Sequence, residues 1–475
     1  MNKLYLFCFV ILLMANTCAK EYGNEKPNIV LINVDDLGWK DVGFNGSRYY
    51  ETPHLNQLAK ESIRFTNAYA GAANCAPSRA CMMSGQNTPR HGIYTVSPSD
   101  RGNKKTRKLI PTPNTKVLAN EQLTIAEVLK ANGYTSASIG KWHLGDDPRT
   151  QGFDVNVGGT SAGHPKSYFS PYENPKLADG PVGEYLTDRI TQEAIQFIND
   201  NKGKPFFLYL PFFTIHTPLQ GKEALVEKYK QKKQVDGQGR SPHYAAMVET
   251  MDASVGRILS TLDALKLDNT IVIFTGDNGG ISFQSRQHPL RAGKGSYYEG
   301  GIRVPLLIRW KTQLSKAWTS DEPVTNLDFF PTLLELLGME KPADKILDGQ
   351  SLAPLLTQQK SLGERPLYWH FPIYLEAYSE GEDESRDPLF RTRPGSVIRL
   401  GDWKLHEYFE DDGLELYNLK ADIGEQHNLA ASHPEKTAEL HQLLIKWRKE
   451  TNAPVPTTLN PDYEEGFVPE KSKKG

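Results

Sequence analysis

Residues Asn28 to Gly38 read NIVLINVDDLG, a short apolar run closed by two adjacent acids. The run does not alternate with polar residues, so it predicts a strand buried on both faces of a parallel sheet. Asp35 and Asp36 leave its carboxyl end, where the ligands of open α/β sheets gather. Two such carboxylates can ligate a hard divalent cation. They can equally be a helix cap beside a solvated neighbour.

The same grammar recurs along the chain. Thr135 to Ile139 predicts a strand ending in Gly140, Lys141, Trp142, His143, Leu144, Gly145. Pro205 to Pro211 predicts another, followed by Phe212 to Pro218 with His216 in the loop. Thr270 to Phe274 runs into Thr275, Gly276, Asp277, Asn278, Gly279, Gly280. An Asp-Asn pair among glycines can be a turn by itself, but four strand ends bearing Asp, Lys, His and Asp/Asn point to one crevice. Lys294 and the segment Tyr298 to Pro305 continue the pattern into an apolar strand, Pro305 to Trp310. Helical spacing is found at 53–63, 123–131, 192–197, 244–262 and 327–337.

Gly71 to Gly85, GAANCAPSRACMMSG, sets a thiol beside Pro77, Ser78 and Arg79. Ser78 is a candidate cap for a helix starting near Arg79, which would leave Cys75 just before a helix N-terminus that favours an anion. As an isolated residue Cys75 would be a small buried hydrophobe or half of a bridge to Cys81.

Lys3, the apolar run Leu4 to Met14 and the small residues Ala15 to Ala19 predict a signal peptide, 1–19, and hence export to the periplasm or medium. Lipid anchoring at Cys18 is the alternative and needs an atypical lipobox. No other segment predicts a stable membrane span. With 55 basic and 57 acidic residues the chain is near neutral, and nothing points to nucleic acid. Only Cys75 and Cys81 remain after the leader, so a large apolar core must hold the fold. After Gly349 short strands predict an antiparallel sheet, and Pro434 to Glu450 a final helix. The expected division is a catalytic α/β domain at 20–361, a smaller α+β subdomain at 362–453 and a largely unstructured tail at 454–475.

Taken together, VDDLG, C-x-PSR, GKWHLG, the HTP segment, GDNGG and GK…YEGGIRVP stand in the order of, and resemble, the motifs of type I sulfatases. The resemblance implies an α/β, alkaline-phosphatase-like fold: a large mixed sheet sandwiched by helices, with a smaller C-terminal α+β subdomain. It implies that Cys75 is oxidised to formylglycine by a formylglycine-generating or anaerobic sulfatase-maturing enzyme, and that the hydrated aldehyde is the nucleophile. Asp35, Asp36, Asp277 and Asn278, with residue 75, would hold one Ca²⁺, Mg²⁺ being the alternative. Arg79, Lys141, His143, His216 and Lys294 would complete the catalytic set. His216 would protonate the leaving oxygen, and His143 would take the proton whose loss expels sulfate.

The implied reaction is hydrolysis of sulfate monoesters on a sulfated carbohydrate, an algal polymer of ulvan or carrageenan type or its oligosaccharides. The alternatives are a galactose or N-acetylgalactosamine sulfatase, a phosphatase or phosphonate monoesterase of the same superfamily, and a glycan-binding protein with a dead site. His164, Arg286, His288, Arg291 and His370 are candidate sugar contacts. Arg101, Lys104, Lys105, Arg107 and Lys108 form a basic cluster that is either a solvated loop or a contact for a polyanionic glycan.

Overall fold

The computed structural model describes residues 26–469 apart from 236–237, 315, 379–380 and 382; the leader lies outside the described residues. Asn28–Val34 is a strand with all seven residues buried. Its side chains alternate between two cores. Val30, Ile32 and Val34 enter one, with the helices Leu186–Asn201 and Pro242–Ala264. Ile29 and Leu31 enter the other, with the helices Cys75–Ser84, Ile125–Ala131 and Phe329–Leu336. An unbroken apolar run is therefore what a strand covered on both faces requires.

Eight strands form the sheet, in the order Val155–Val157, Thr135–Ile139, Phe206–Phe212, Asn28–Val34, Thr270–Gly276, Leu306–Trp310, Ile63–Phe65, Trp318–Ser320. The first five run parallel. Leu306–Trp310 pairs antiparallel with Thr270–Gly276, so the sheet is mixed. The four strands predicted to carry polar loops are consecutive neighbours, and parallel pairing brings all four carboxyl ends to one edge.

A second sheet, in the order Leu367–Phe371, Gly395–Leu400, Trp403–Tyr408, Gly413–Asn418, is antiparallel throughout. One face packs Ile398, Leu405 and Leu416 on Leu440, Leu444 and Trp447 of the helix Pro434–Glu450. The other lays Trp369, Phe371 and Val397 on Tyr69, Tyr297 and Ile302. Residues 454–469, expected to be largely unstructured, are instead tied down. Ile110 N–H donates to Thr458 and Asn460 N–H to Lys108, both at 2.9 Å. The polar composition of that segment reads as a free tail because its partners lie some 350 residues away in sequence.

Beside this apolar contact lies a buried ionic network. Lys404 Nζ lies 3.0 Å from Glu299 and 2.9 Å from Glu425, all three side chains fully buried. Burial alone would raise the Glu299 carboxyl, but Lys404, Arg303 and Arg399 hold it down at about 2. Removing one member of such a cluster strands an uncompensated charge. Lys404→Met is therefore expected to cost about 3–5 kcal/mol in denaturant unfolding. A loss below about 1 kcal/mol would show that the network carries no such burden.

Candidate active site

Each strand end delivers the side chains its motif contains. Asp35 and Asp36 follow Asn28–Val34, and Asp36 turns the chain with a left-handed φ of 60°. Asp277 and Asn278 follow Thr270–Gly276, Lys141 and His143 follow Thr135–Ile139, and His216 follows Phe206–Phe212. Gly140 has φ of 125°, and a Cβ there would lie 2.0 Å from the Pro211 carbonyl, so only glycine lets the Lys141 loop pass its neighbour.

The helix that supplies the thiol begins earlier than expected. It spans Cys75–Ser84 with Asn74 at the N-cap, so Cys75 is its first residue and Ser78 lies inside it. The Ser78 hydroxyl accepts from Asn326 Nδ2 at 2.9 Å and caps nothing. Pro77 falls in the first turn, where its missing N–H costs nothing. One turn on, Arg79 faces the same crevice. Cys75 and Cys81 are both free and buried, which excludes the bridge. Cys81 points to His91 at 3.5 Å.

Three carboxylates and three permanent cations interlock in this crevice. Arg79 donates to Asp277 through Nε at 2.9 Å, and its Nη2 lies 2.8 Å from the same oxygen and 3.8 Å from Asp35. Lys141 Nζ is 2.5 Å from Asp35, and Lys294 Nζ is 2.7 Å from Asp36. Asn278 Nδ2 also donates to Asp36, at 2.8 Å. Burial would raise the Asp36 carboxyl, but Lys294, His216 and Lys141 hold it well below the usual carboxylate range. Asp35 behaves oppositely. Burial pushes it up to about 7 against the pull of Lys141, with Asp277 and Asp36 adding to the rise.

These residues suit a hard cation. Oxygens of Asp35, Asp36 and Asp277 lie within 4.8 Å of one another. Asp35 Oδ1 and Asn278 Oδ1 are buried without a hydrogen-bond partner among the described residues. Two orphaned oxygens beside two more carboxylates form an all-oxygen donor set, which fits Ca²⁺ or Mg²⁺ and not zinc. A divalent ion would also offset the burial and the neighbouring carboxylates that raise Asp35.

Cys75 Sγ sits 4.0 Å from Asp36 Oδ1, and burial pushes the thiol up to about 12, so it is neutral. It opens on a cavity of about 480 Å³ whose wall includes His143, His216 and Lys294. His216 Nδ1 lies 2.9 Å from the Thr217 carbonyl, which can only accept. Nδ1 therefore carries the proton, and Nε2 faces Asp36 at 3.8 Å. Burial, reinforced by Lys294, pushes His216 down to about 3. His143 is pushed well below its ordinary value by burial and then by Lys141 and Arg79, and its Nδ1 has no partner among the described residues.

Of the candidate sugar contacts only His164 lines this cavity, its ring stacked on His216 at 5.9 Å. His370 does not: it is buried in the second sheet between the Ser396 hydroxyl and the Pro454 carbonyl, 2.8 Å from each. Arg291 lies 3.9 Å over the Tyr298 ring and donates to the Glu425 carbonyl, a structural role between the two sheets. Arg286 pairs with Glu384, and His288 is exposed away from the cavity wall. Most of the basic cluster is neutralised internally. Lys104 pairs with Asp462, Lys105 with Glu464 and Arg107 with Asp100. Arg101 alone of the five reaches the cavity.

Other residues of the wall lie outside the motifs, among them Ser97, Phe283, Tyr378 and Arg391. The last two come from the segment expected to form the smaller α+β subdomain, and no periodicity or spacing in the sequence marks them.

A sulfatase family model matches residues 27–339, and a model of the C-terminal region of N-sulphoglucosamine sulphohydrolase matches 293–450. A sulfatase of Formosa agariphila is 33% identical, over 96% of this chain and 94% of that protein. Human N-acetylgalactosamine-6-sulfatase is 32% identical, over 76% of this chain and 71% of its own length. The crystal structure of Ps i-CgsB, also solved in complex with k-i-k-neocarrahexaose, superposes with a TM-score of 0.73 at 29% identity, covering 93% of this chain and 94% of that one. The large mixed sheet between helices, with its antiparallel C-terminal sheet, is the alkaline-phosphatase-like architecture of these enzymes. The chain belongs to the sulfatase family and is a sulfuric ester hydrolase.

Proposed function

We propose that the chain is an exported sulfatase of sulfated carbohydrate, that Cys75 is matured to formylglycine, and that the acidic cluster holds one Ca²⁺. The observation that carries this reading is the position of Cys75. It is the first residue of a helix, at the wall of a cavity, between Asp36 and the histidines. A neutral thiol at about 12 is a poor nucleophile there, whereas a bound divalent cation would favour an ionised oxygen in its place. Asp35, Asp36, Asp277 and Asn278 would hold the cation, which when bound supplies Lewis-acid withdrawal of charge from the sulfate oxygens.

The chain's own residues divide the remaining work. Without a metal, three carboxylates offset Arg79, Lys141 and Lys294, so a divalent ion would leave the site net positive and attractive to a sulfate ester. Lys294 and Lys141, each locked to a carboxylate, are preorganised donors for the transferring group. His216 presents Nε2 to the cavity and is the candidate acid for the leaving oxygen. Its proton is disfavoured in the free protein by burial and Lys294, so the arriving anion would supply the charge that restores it. His143, held neutral with an unpartnered Nδ1, is the candidate acceptor of the proton whose loss expels sulfate.

A second cavity of about 330 Å³ shares His164 with the first, so a substrate can extend past the sulfated residue. That supports an oligosaccharide, and the neocarrahexaose bound by Ps i-CgsB supports an algal polymer of carrageenan or ulvan type. The similarity to N-acetylgalactosamine-6-sulfatases supports a second reading, a host glycan bearing that sugar. Parallel assays on matched sulfate and phosphate esters are expected to favour sulfate; preferential phosphate cleavage would move the chain to the phosphatase reading.

Two further tests follow from the site. Cys75→Ser, lacking the second hydroxyl of the hydrate, is expected at best to accumulate sulfated enzyme after one turnover; sustained turnover would refute the release step. Ca²⁺ is expected to raise the melting temperature of the wild-type protein by several degrees at saturation, roughly the 2–4 kcal/mol of linkage at [L] of 100–1,000 Kd. Asp277→Ala and Asp36→Ala are expected to lose that shift. Unchanged melting in the presence of Ca²⁺ would contradict the metal assignment.

A further inference from the structure

Among the described residues, Arg391 is the one cavity-wall cation that is buried and yet lacks a carboxylate. The two-stranded ribbon pairs Leu375 with Thr392 and Glu376 with Phe390, so Arg391 is the extra residue of a β-bulge. Bulges re-aim a side chain, and this one turns Arg391 into the cavity. Its guanidinium is fixed by neutral groups. Nε donates to the Glu376 carbonyl at 2.8 Å, Nη1 donates to the Lys294 carbonyl at 3.2 Å, and the group lies 3.4 Å over the Tyr378 ring. Gly295 leaves room for it: a Cβ there would fall 2.9 Å from Nη1.

Among the described residues Arg391 makes no ion pair, although it is only 5% exposed. Arg79, Lys141 and Lys294 each have a carboxylate within 2.8 Å. A guanidinium cannot shed its proton, so the charge stays, and a buried charge without a counter-ion is expensive. The charge also lies apart from the acidic cluster. It is anchored at the main-chain end of Lys294, whose ammonium reaches away to Asp36. Arg101, on the same wall, is only loosely paired, 3.6 Å from Glu376. Phe283, 41% exposed and edge-on to Tyr378 at 5.4 Å, gives the wall an apolar surface for the face of a sugar ring.

Resting on the sulfatase reading above, we propose that Arg391 is a specificity-determining residue that binds a second anionic group of the substrate, beside the ester being cleaved. The preferred substrate is then a sugar or disaccharide carrying two negative charges. The second is a hexuronic carboxylate or another sulfate, and the planar fork of Arg391 matches either one.

The test is calorimetric binding to the full-length chain carrying Cys75→Ala, which removes turnover, with three probes: methyl galactoside monosulfate, methyl galactoside disulfate and a methyl hexuronide monosulfate. At least one doubly charged probe is expected to bind about ten- to a hundredfold more tightly than the monosulfate. Which of the two gains identifies sulfate or carboxylate as the second group. Adding Arg391→Gln is expected to abolish that advantage. Arg391→Lys, which keeps the charge and loses the fork, is expected to retain part of it. An advantage unchanged within about twofold in Arg391→Gln, or no advantage in the parent, overturns the proposal. Should Arg391→Gln fail to fold, Arg391→Lys decides: a reduced advantage supports the role and an unchanged one overturns it. If the monosulfate binds and the second charge adds nothing, only the role of Arg391 falls. If no probe binds, the carbohydrate reading fails and takes this proposal with it.

Discussion

The fold depends on burying three carboxylates and three cations in one crevice without leaving any of them alone. Asp35, Asp36 and Asp277 are fully or almost fully buried, as are Arg79, Lys141 and Lys294. An isolated charge at such depth would cost several kcal/mol. The pairs Arg79–Asp277, Lys141–Asp35 and Lys294–Asp36 are therefore a condition of folding as well as a chemical device. They hold only if the parallel register of Thr135–Ile139, Phe206–Phe212, Asn28–Val34 and Thr270–Gly276 is kept. A one-residue slip would turn each motif to the opposite face of the sheet.

The crevice also needs its second layer. The ribbon of Leu375–Glu376 and Phe390–Thr392 and the loop between its strands close the cavity with Arg391 and Tyr378, and the neighbouring C-terminal sheet is fastened to the helix Glu299–Ile302 by the Glu299–Lys404–Glu425 network. That network begins one residue after Tyr298 in the same run that carries Lys294, so the residues that hold the sulfate pocket and those that hold the subdomain are neighbours in the chain. The strand ends of the large sheet thus supply the charged crevice, and the second layer supplies part of the cavity wall beside it.

Long buried elements are legible in the sequence because their pattern is dictated by burial alone. Asn28–Val34, Thr135–Ile139, Gly395–Leu400, Trp403–Tyr408 and Pro434–Glu450 fall where their periodicity puts them. The acids and histidines of the crevice and Lys141 are legible because each follows a strand within a motif of unusual composition. Three kinds of feature are not. Ser78 reads as a cap, but Asn326, distant in sequence, claims its hydroxyl. The basic cluster reads as a free surface, but Asp462 and Glu464 arrive from the far end of the chain. Arg391 lies on a bulge, and a bulge is set by pairing that no local pattern announces. His370, Arg286, His288 and Arg291 do not line the cavity for the same reason, since a polar residue in a loop or short strand does not reveal which way it faces.

The central claim is that residue 75 acts as a carbonyl and not as a thiol. Mass spectrometry of the peptide containing position 75, in preparations made with and without the maturing enzyme, tests it directly when paired with sulfate-ester hydrolysis on the same samples. The expected result is a peptide that has lost a sulfur atom and a pair of hydrogens and gained a single oxygen, with activity proportional to the converted fraction and absent from unconverted protein. Full activity in protein whose Cys75 is entirely intact would contradict it.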